Sequence, residues 1–270
     1  MNVTDKKIRS KHLLSQTALM VLAWGILCGC ASKVSLVGKL PTPNGSAEVV
    51  RFRLSYSNVY LIKSTPPILV DAGSPDEWED LLECLRAQGV APRDLGGVIL
   101  MHGHADHAGL ADDLQKQGVK IILGAGDVPM ATAGHNDQLN PTSLTARVIK
   151  LFADFPMKPF TPDVVISSRM SMHAWGLDAE IYPLPGHTPG SLALVFSDQQ
   201  AFVGDLMAGG MMNGLFFPES PGEHYFQPDI RIAHRSIHDL VRSGVRKFYL
   251  GHGGPIQVEK LKGSPLLQFE

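Results

Sequence analysis

Six consecutive residues, His102-Gly103-His104-Ala105-Asp106-His107, place three imidazoles and a carboxylate directly behind the apolar run Val98 to Met101. An unbroken apolar run of that length is expected for a strand buried on both faces, so the motif stands at the carboxyl end of a buried strand, where a loop passes into a helix. Alternate side chains diverge at such a place: His102 and His104 toward one centre, Asp106 and His107 toward another. Imidazole with carboxylate suits zinc, manganese or iron, and the absence of cysteine among the donors argues against a purely structural zinc site.

Three later segments follow the same grammar: Pro185-Gly186-His187-Thr188-Pro189-Gly190-Ser191, Val203-Gly204-Asp205 and Leu250-Gly251-His252-Gly253. Each sets a metal-binding side chain beside glycine at a strand end, where backbone can approach an ion closely. Between them the chain alternates β-rich runs with helices. Strands are expected at Val49 to Leu54, Val59 to Lys63, Ile68 to Val70, Lys120 to Leu123, Val164 to Ser167, Ala179 to Leu184, Leu192 to Ser197, Ala201 to Val203 and Lys247 to Leu250. Ser74-Pro75-Asp76-Glu77 reads as a capping box ahead of a helix with the apolar stripe Trp78, Leu81, Leu82 and Leu85, stopping at Gly89. Further helices are expected near Leu110 to Gln117, Leu144 to Phe152 and Ile230 to Val241. Residues 125 to 162 break the rhythm and read as an insertion over the site.

The amino terminus sets the compartment. Lys6, Lys7, Arg9 and Lys11 precede an uncharged, largely apolar run from Leu13 to Leu27, too short for the roughly 20 residues of a spanning helix and suited to a secretory signal. Leu27-Cys28-Gly29-Cys30 resembles the lipobox of bacterial lipoproteins, which implies a lipid anchor on Cys30 at the periplasmic face of a bacterial cell envelope. Residues 1–29 are thus expected as signal peptide, 30–47 as a lipid-anchor tether and 48–270 as the folded domain. Cys84, in an amphipathic helix, reads as a structural, partly buried thiol. Of 24 basic and 26 acidic residues, four basic and one acidic lie in the first 29, so the remainder is net acidic and a nucleic-acid partner gains no electrostatic support.

From about Val49 to Pro255 the four motifs together resemble the metallo-β-lactamase-fold hydrolases. That resemblance implies an α/β fold, a four-layer αββα sandwich with the site at one edge between two sheets. It also implies a ligand set. His102, His104 and His187 would bind one metal, Asp106, His107 and His252 a second, and Asp205 would bridge both. Asp71 would orient the ligand loop without touching metal. Two divalent ions, zinc first with manganese or iron also suited, would stand about 3.5–4 Å apart and lower the pKa of a bridging water toward about 7. The hydroxide so formed attacks an ester, lactone, thioester or related bond, with Asp106 orienting it and moving its proton.

The resemblance narrows the substrate only in part. β-Lactamases of this fold generally carry cysteine or serine where Asp205 stands, which points to the glyoxalase II, lactonase and phosphodiesterase branches. Glyoxalase II has a long helical extension that binds glutathione, whereas only Ile256 to Glu270 follow the last motif here. β-Lactam hydrolysis, a mono-iron persulfide-dioxygenase-like oxidation and a non-catalytic envelope lipoprotein stand as alternatives. The partner is expected to be a small molecule. His224 and Tyr225 read as loop residues within reach of a substrate oxygen. Met130, Met157, Phe160, Met207, Met211, Met212, Leu215, Phe216 and Phe217 read either as ordinary core packing or as an apolar substrate groove. His234 and His238, one turn apart, read as exposed helix residues, and His135 and His173 show no partner in sequence.

Overall fold

The computed structural model describes residues 33–212 and 214–268. The expected signal peptide and the lipid anchor at Cys30 lie outside the described residues. Seven strands form the first sheet in chain order: β1 (Val34–Thr42), β2 (Gly45–Arg53), β3 (Asn58–Ile62), β4 (Ile68–Val70), β5 (Gly97–Ile99), β6 (Ile121–Gly124) and β7 (Val164–Ile166). The first four pair antiparallel through short turns. The last four pair parallel, as chain returning through helices requires.

The second sheet takes β8 (Met170–Ser171), β9 (Ala179–Pro183), β10 (Leu192–Phe196) and β11 (Gln200–Phe202). A separate hairpin follows, β12 (Ala208–Met211) with β13 (Phe216–Gly222). Then β14 (Lys247–Tyr249) joins β11 in parallel, and β15 (Ile256–Gln257) closes the far edge.

Period-two alternation sorts the strands onto two cores. Tyr60, Ile62, Ile99 and Met101 face the second sheet and pack with Leu194, Phe196, Phe202 and Tyr249. Their neighbours Leu61, Val98 and Leu100 face the other way, onto helices α1 (Trp78–Ala87), α2 (Ala105–Ala108) and α3 (Ala111–Lys116). Two further helices follow, α4 (Val128–Ala133) and α5 (Leu144–Ala153). On the outer face of the second sheet, Ala233, Ile237 and Leu240 of α6 (Ile230–Arg242) pack on Ala193, Ala201 and Phe248. The layer order is helix, sheet, sheet, helix, as expected. Among the described residues no helix is long and apolar enough to cross a membrane.

Three local expectations are corrected. The stretch from Val34 onward, assigned to a tether, is strand β1 and the start of β2, turned through Pro43 and Asn44. The capping box forms on one side only. Glu77 accepts the Ser74 N–H at 2.8 Å and the Ser55 N–H at 2.6 Å, so its buried carboxylate ties two loops together and α1 begins one residue later. Finally, the start of the 125–162 segment does not simply cover the site but braces it, as shown next.

Candidate metal centre

β4 ends in Asp71, which holds φ of +62°, a left-handed conformation rare outside glycine. The turn aims its carboxylate at the neighbouring strand end. Oδ1 accepts the Met101 N–H at 2.8 Å, and Oδ2 accepts from His107 Nδ1 at 2.9 Å. The second contact fixes the tautomer of His107 and leaves Nε2 facing the cleft. Ser57 donates to the Asp106 carbonyl at 2.6 Å. Across the sandwich, Asn58 donates to the carbonyls of Leu250 and Gly253, and Tyr60 to that of Leu250, which clamps the loop carrying His252.

Asp127 makes the corresponding brace on the other side. Its carboxylate accepts from Gly103 N, Gly190 N and Thr188 Oγ1 at 2.6 to 2.8 Å, joining the His102–His107 loop to the His187 loop. Asn136 accepts the Ala105 N–H at 2.8 Å, and Asp137 accepts from His104 Nε2 at 2.9 Å, so His104 turns Nδ1 inward, 3.0 Å from His187 Nε2. His187 is fixed by the Phe226 carbonyl, 2.7 Å from its Nδ1. Asp127, Asn136 and Asp137 were not singled out in the sequence. Only Asp127 left a signal, since Gly124-Ala125-Gly126-Asp127 repeats the pattern of acid and glycine at a strand end.

All seven expected donors converge. His102, His104 and His187 form one triad and Asp106, His107 and His252 another, with donor atoms inside each within 4.8 Å of one another. Asp205 stands between them. Its Oδ2 lies 3.1 Å from His252 Nε2, 3.3 Å from His107 Nε2, 3.7 Å from His187 Nε2 and 3.8 Å from His102 Nε2. Gly251 makes this approach possible, because a Cβ there would collide with Asp205 Oδ1 and the His107 ring.

The structure adds an eighth donor. His224 is buried, with Nε2 3.2 Å from Asp205 Oδ2, and it groups with His187 and Asp205. A lone histidine in a loop without strand-end glycine carried little weight in sequence, and only the return of the loop over the cleft reveals it. Tyr225 lines the same cavity. Of the other histidines, His234 is buried rather than exposed, 3.2 Å from Glu223, and His238 is half-buried. His173 pairs with Asp178, and His135 meets the Asn136 carbonyl, so both have partners outside the cleft.

The electrostatics follow from burial and crowding. Burial, then the neighbouring His107 and His187, hold the pKa of His102 well below its usual value; burial, then His224 and His104, do the same for His187. Burial also lowers His224, against the pull of Asp205. Burial opposes a proton on His252 and His107, but Asp205 and Asp106 outweigh it, raising His252 to about 10 and His107 well above its usual value. Burial likewise disfavours the Asp106 and Asp205 carboxylates, yet the surrounding imidazoles prevail and keep both well below the ordinary range.

These residues fit two divalent ions. Both nitrogens of His102, Oδ1 of Asp205 and Nδ1 of His252 are buried without a hydrogen-bond partner, whereas folded proteins leave few buried polar atoms unpaired. Hard oxygen with borderline nitrogen donors suits zinc, manganese or iron. A cavity of about 260 Å³ opens over the cluster, with Tyr56, Leu139, Phe152 and Phe155 among its walls. The groove candidates divide. Met130, Met157, Phe160 and Met207 are core residues, while Met211, Met212, Leu215, Phe216 and Phe217 are exposed on the β12–β13 hairpin.

A family model for the metallo-beta-lactamase superfamily matches residues 53–252. A probable metallo-hydrolase, YflN, of Bacillus subtilis is 29% identical over 226 residues, covering 74% of this chain and 81% of that one. The hydroxyacylglutathione hydrolase of Anaeromyxobacter dehalogenans is 31% identical over 127 residues, covering 47% of this chain and 36% of its own length. Among solved structures, TTHA1623 in a di-iron-bound form superposes with a TM-score of 0.54 at 23% identity, over 76% of this chain and 92% of that one.

Proposed function

Because this chain belongs to the metallo-beta-lactamase superfamily and is a metal-dependent hydrolase, we propose that it cleaves esters, thioesters, lactones or related bonds of small, partly apolar molecules in the bacterial cell envelope. One observation carries the reading: a single buried carboxylate, Asp205, lies between two complete donor triads. A pair of divalent ions held there, zinc first with manganese or iron compatible, would supply a water-derived nucleophile at neutral pH and would polarise the scissile bond.

The chain's own residues do the rest. His102, His104 and His187 would hold one ion, and Asp106, His107 and His252 the other. Asp106 is the most exposed of the seven, its side chain 25% accessible against 7% for His252 and 2% for Asp205. It is ionised at neutral pH, so it can orient the attacking water, take its proton and pass it to the leaving group. The Asp71 carboxylate on His107 and the Phe226 carbonyl on His187 hold these imidazoles in one orientation, so little reorganisation accompanies the reaction. His224 Nε2 lies beside Asp205 in the wall of the cavity and is placed to contact a substrate oxygen, with Tyr225 next to it. Tyr56, Phe152 and Phe155 would hold the apolar part of the substrate.

The test is a panel of esters, thioesters, lactones, β-lactams and phosphodiesters given to the metal-loaded protein and its Asp106→Asn variant, with metal content measured in parallel. Turnover of an acyl substrate with two ions per chain supports the reading. One iron per chain with oxygen uptake on a persulfide would replace it with an oxidation. Equal inertness of both proteins across the panel would favour a binding role.

A further inference from the structure

The chain enters the described fold at Lys33, and Lys33 lines a groove of about 720 Å³ with Arg53, Thr145, Ile149, Met212 and Leu215. Ile149 and Tyr225 belong both to this groove and to the cavity over the metal cluster, so groove and cavity mouth share one face.

Two apolar ridges flank that face. In α5, Leu144, Val148 and Leu151 are 79, 60 and 78% exposed, and the charged residues of the helix are Arg147 and Lys150, with no acid from Leu144 to Ala153. On the hairpin, Met212, Leu215 and Phe217 are exposed as well, and Met212 and Phe217 hold φ of +51°. Such left-handed backbone is strained for a bulky residue and is concentrated at functional places. Single exposed apolar residues are ordinary, but grouped ones mark a surface that meets something apolar. A helix with large apolar side chains and only basic charges fits the boundary of an anionic bilayer.

The chain's own course says which way this face points. Cys30 stands three residues before Lys33, at most about 11 Å of extended chain. β1 then runs away from Lys33 for nine residues, so the β1–β2 turn at Asn44 lies roughly 30 Å along the sheet from the entry point. An anchor on Cys30 therefore presents the groove face to the membrane and leaves the Asn44 end outward.

We propose that α5 and the β12–β13 hairpin dock on an anionic lipid bilayer, with the mouth of the metal cleft opening toward it. The orientation rests on reading Cys30 as a lipid anchor and is independent of the hydrolytic reading. A substrate with an acyl tail then reaches the Asp205 cluster from the lipid side without its tail crossing open water.

The test uses the full chain reconstituted into vesicles of phosphatidylcholine with phosphatidylglycerol and with bromine on the acyl chains. Tryptophan is introduced singly as Leu151→Trp, Phe217→Trp and Asn44→Trp, and the wild-type emission is subtracted. Insertion to a depth of about 5–10 Å would quench the new emission at 151 and 217 and leave that at 44 intact. Omitting phosphatidylglycerol, or adding Arg147→Glu, would reduce quenching at 151. Protein that floats with the vesicles but shows no quenching at 151 or 217, or equal quenching at all three positions, overturns the docking face and spares the anchor. Protein that fails to float overturns both. Absent quenching together with a concentration-dependent dimer in sedimentation assigns the face to a second copy instead.

Discussion

On the floor of the cleft, Asp71, Asp127 and Asn58 each bind two or more groups from other loops, whereas on the rim Leu144, Leu151 and Phe217 leave 79, 78 and 72% of their surface in solvent. The floor buries charge and must satisfy it, because an unpaired buried polar group costs about 1–3 kcal/mol. The rim buries little and has no such constraint. Catalysis needs fixed donors, whereas an exposed apolar rim is adaptable surface, so the two regions should answer mutation in opposite ways.

The largest expected effect is metal removal, which should abolish turnover and give the floor a pH dependence. In the chelated protein, His252 is raised to about 10, so the stability it contributes is fully present below its unfolded value near 6.5 and is lost as pH rises toward 10. His102 and His187 are held low, so they destabilise only as pH falls below about 6.5, where the unfolded chain takes up protons. Thermal midpoints of the chelated protein should therefore peak near neutral pH. A flat profile would deny that the floor is charged as described.

Next, Asp106→Asn, assayed with enough added metal to keep two ions per chain bound, should lower kcat by about 10²–10⁴, read from steady-state kinetics beside metal analysis. Full activity with two ions still bound would remove Asp106 from the proton path. Asp127→Ala strands the Gly103 and Gly190 amides and leaves the Thr188 hydroxyl with Ser191 Oγ as its remaining partner, so unfolding in urea should show a loss of about 3 kcal/mol, from two unpaired buried amides and one weakened hydroxyl. Asp71→Asn keeps the shape but alters the partner of His107, and metal affinity should fall about 10–100-fold.

The smallest effect on the molecule should come from the rim. Phe152→Ala, at an exposed position that also walls the cavity, should change stability by no more than about 0.5 kcal/mol. It should raise KM for apolar substrates roughly tenfold with kcat kept, since it removes binding common to ground and transition states. A fall in kcat instead would make the rim part of the floor.

Much of the floor was legible before folding. His102, His104, His187 and His252 each sit beside glycine at the end of a strand whose apolar pattern is plain, so local sequence announces both the ligand and its position. The braces were not legible. Asp137 and Asn136 act through hydrogen bonds across more than thirty residues, and neither lies in a patterned segment. His224 needed the same closure of the chain. β1 was hidden for a different reason. It is an edge strand with most positions only half-buried, so the alternation that marks a strand is blurred, and Pro41, Pro43 and Asn44 read as tether when they in fact make the hairpin end.

The amino-acid sequence alone determined which donors are present and the strand ends that carry them, because hydrophobic period and strand-end glycine are local properties of the chain; the layered class of fold came from the resemblance of its four motifs to a known family. Only the tertiary structure decided that Asp205 lies within 3.8 Å of imidazoles from four separate loops, and that Lys33, α5 and the β12–β13 hairpin line a groove that shares Ile149 and Tyr225 with the cavity over the cluster. Those are distances between segments far apart in sequence, fixed by how two twisted sheets pack, and no local pattern encodes them.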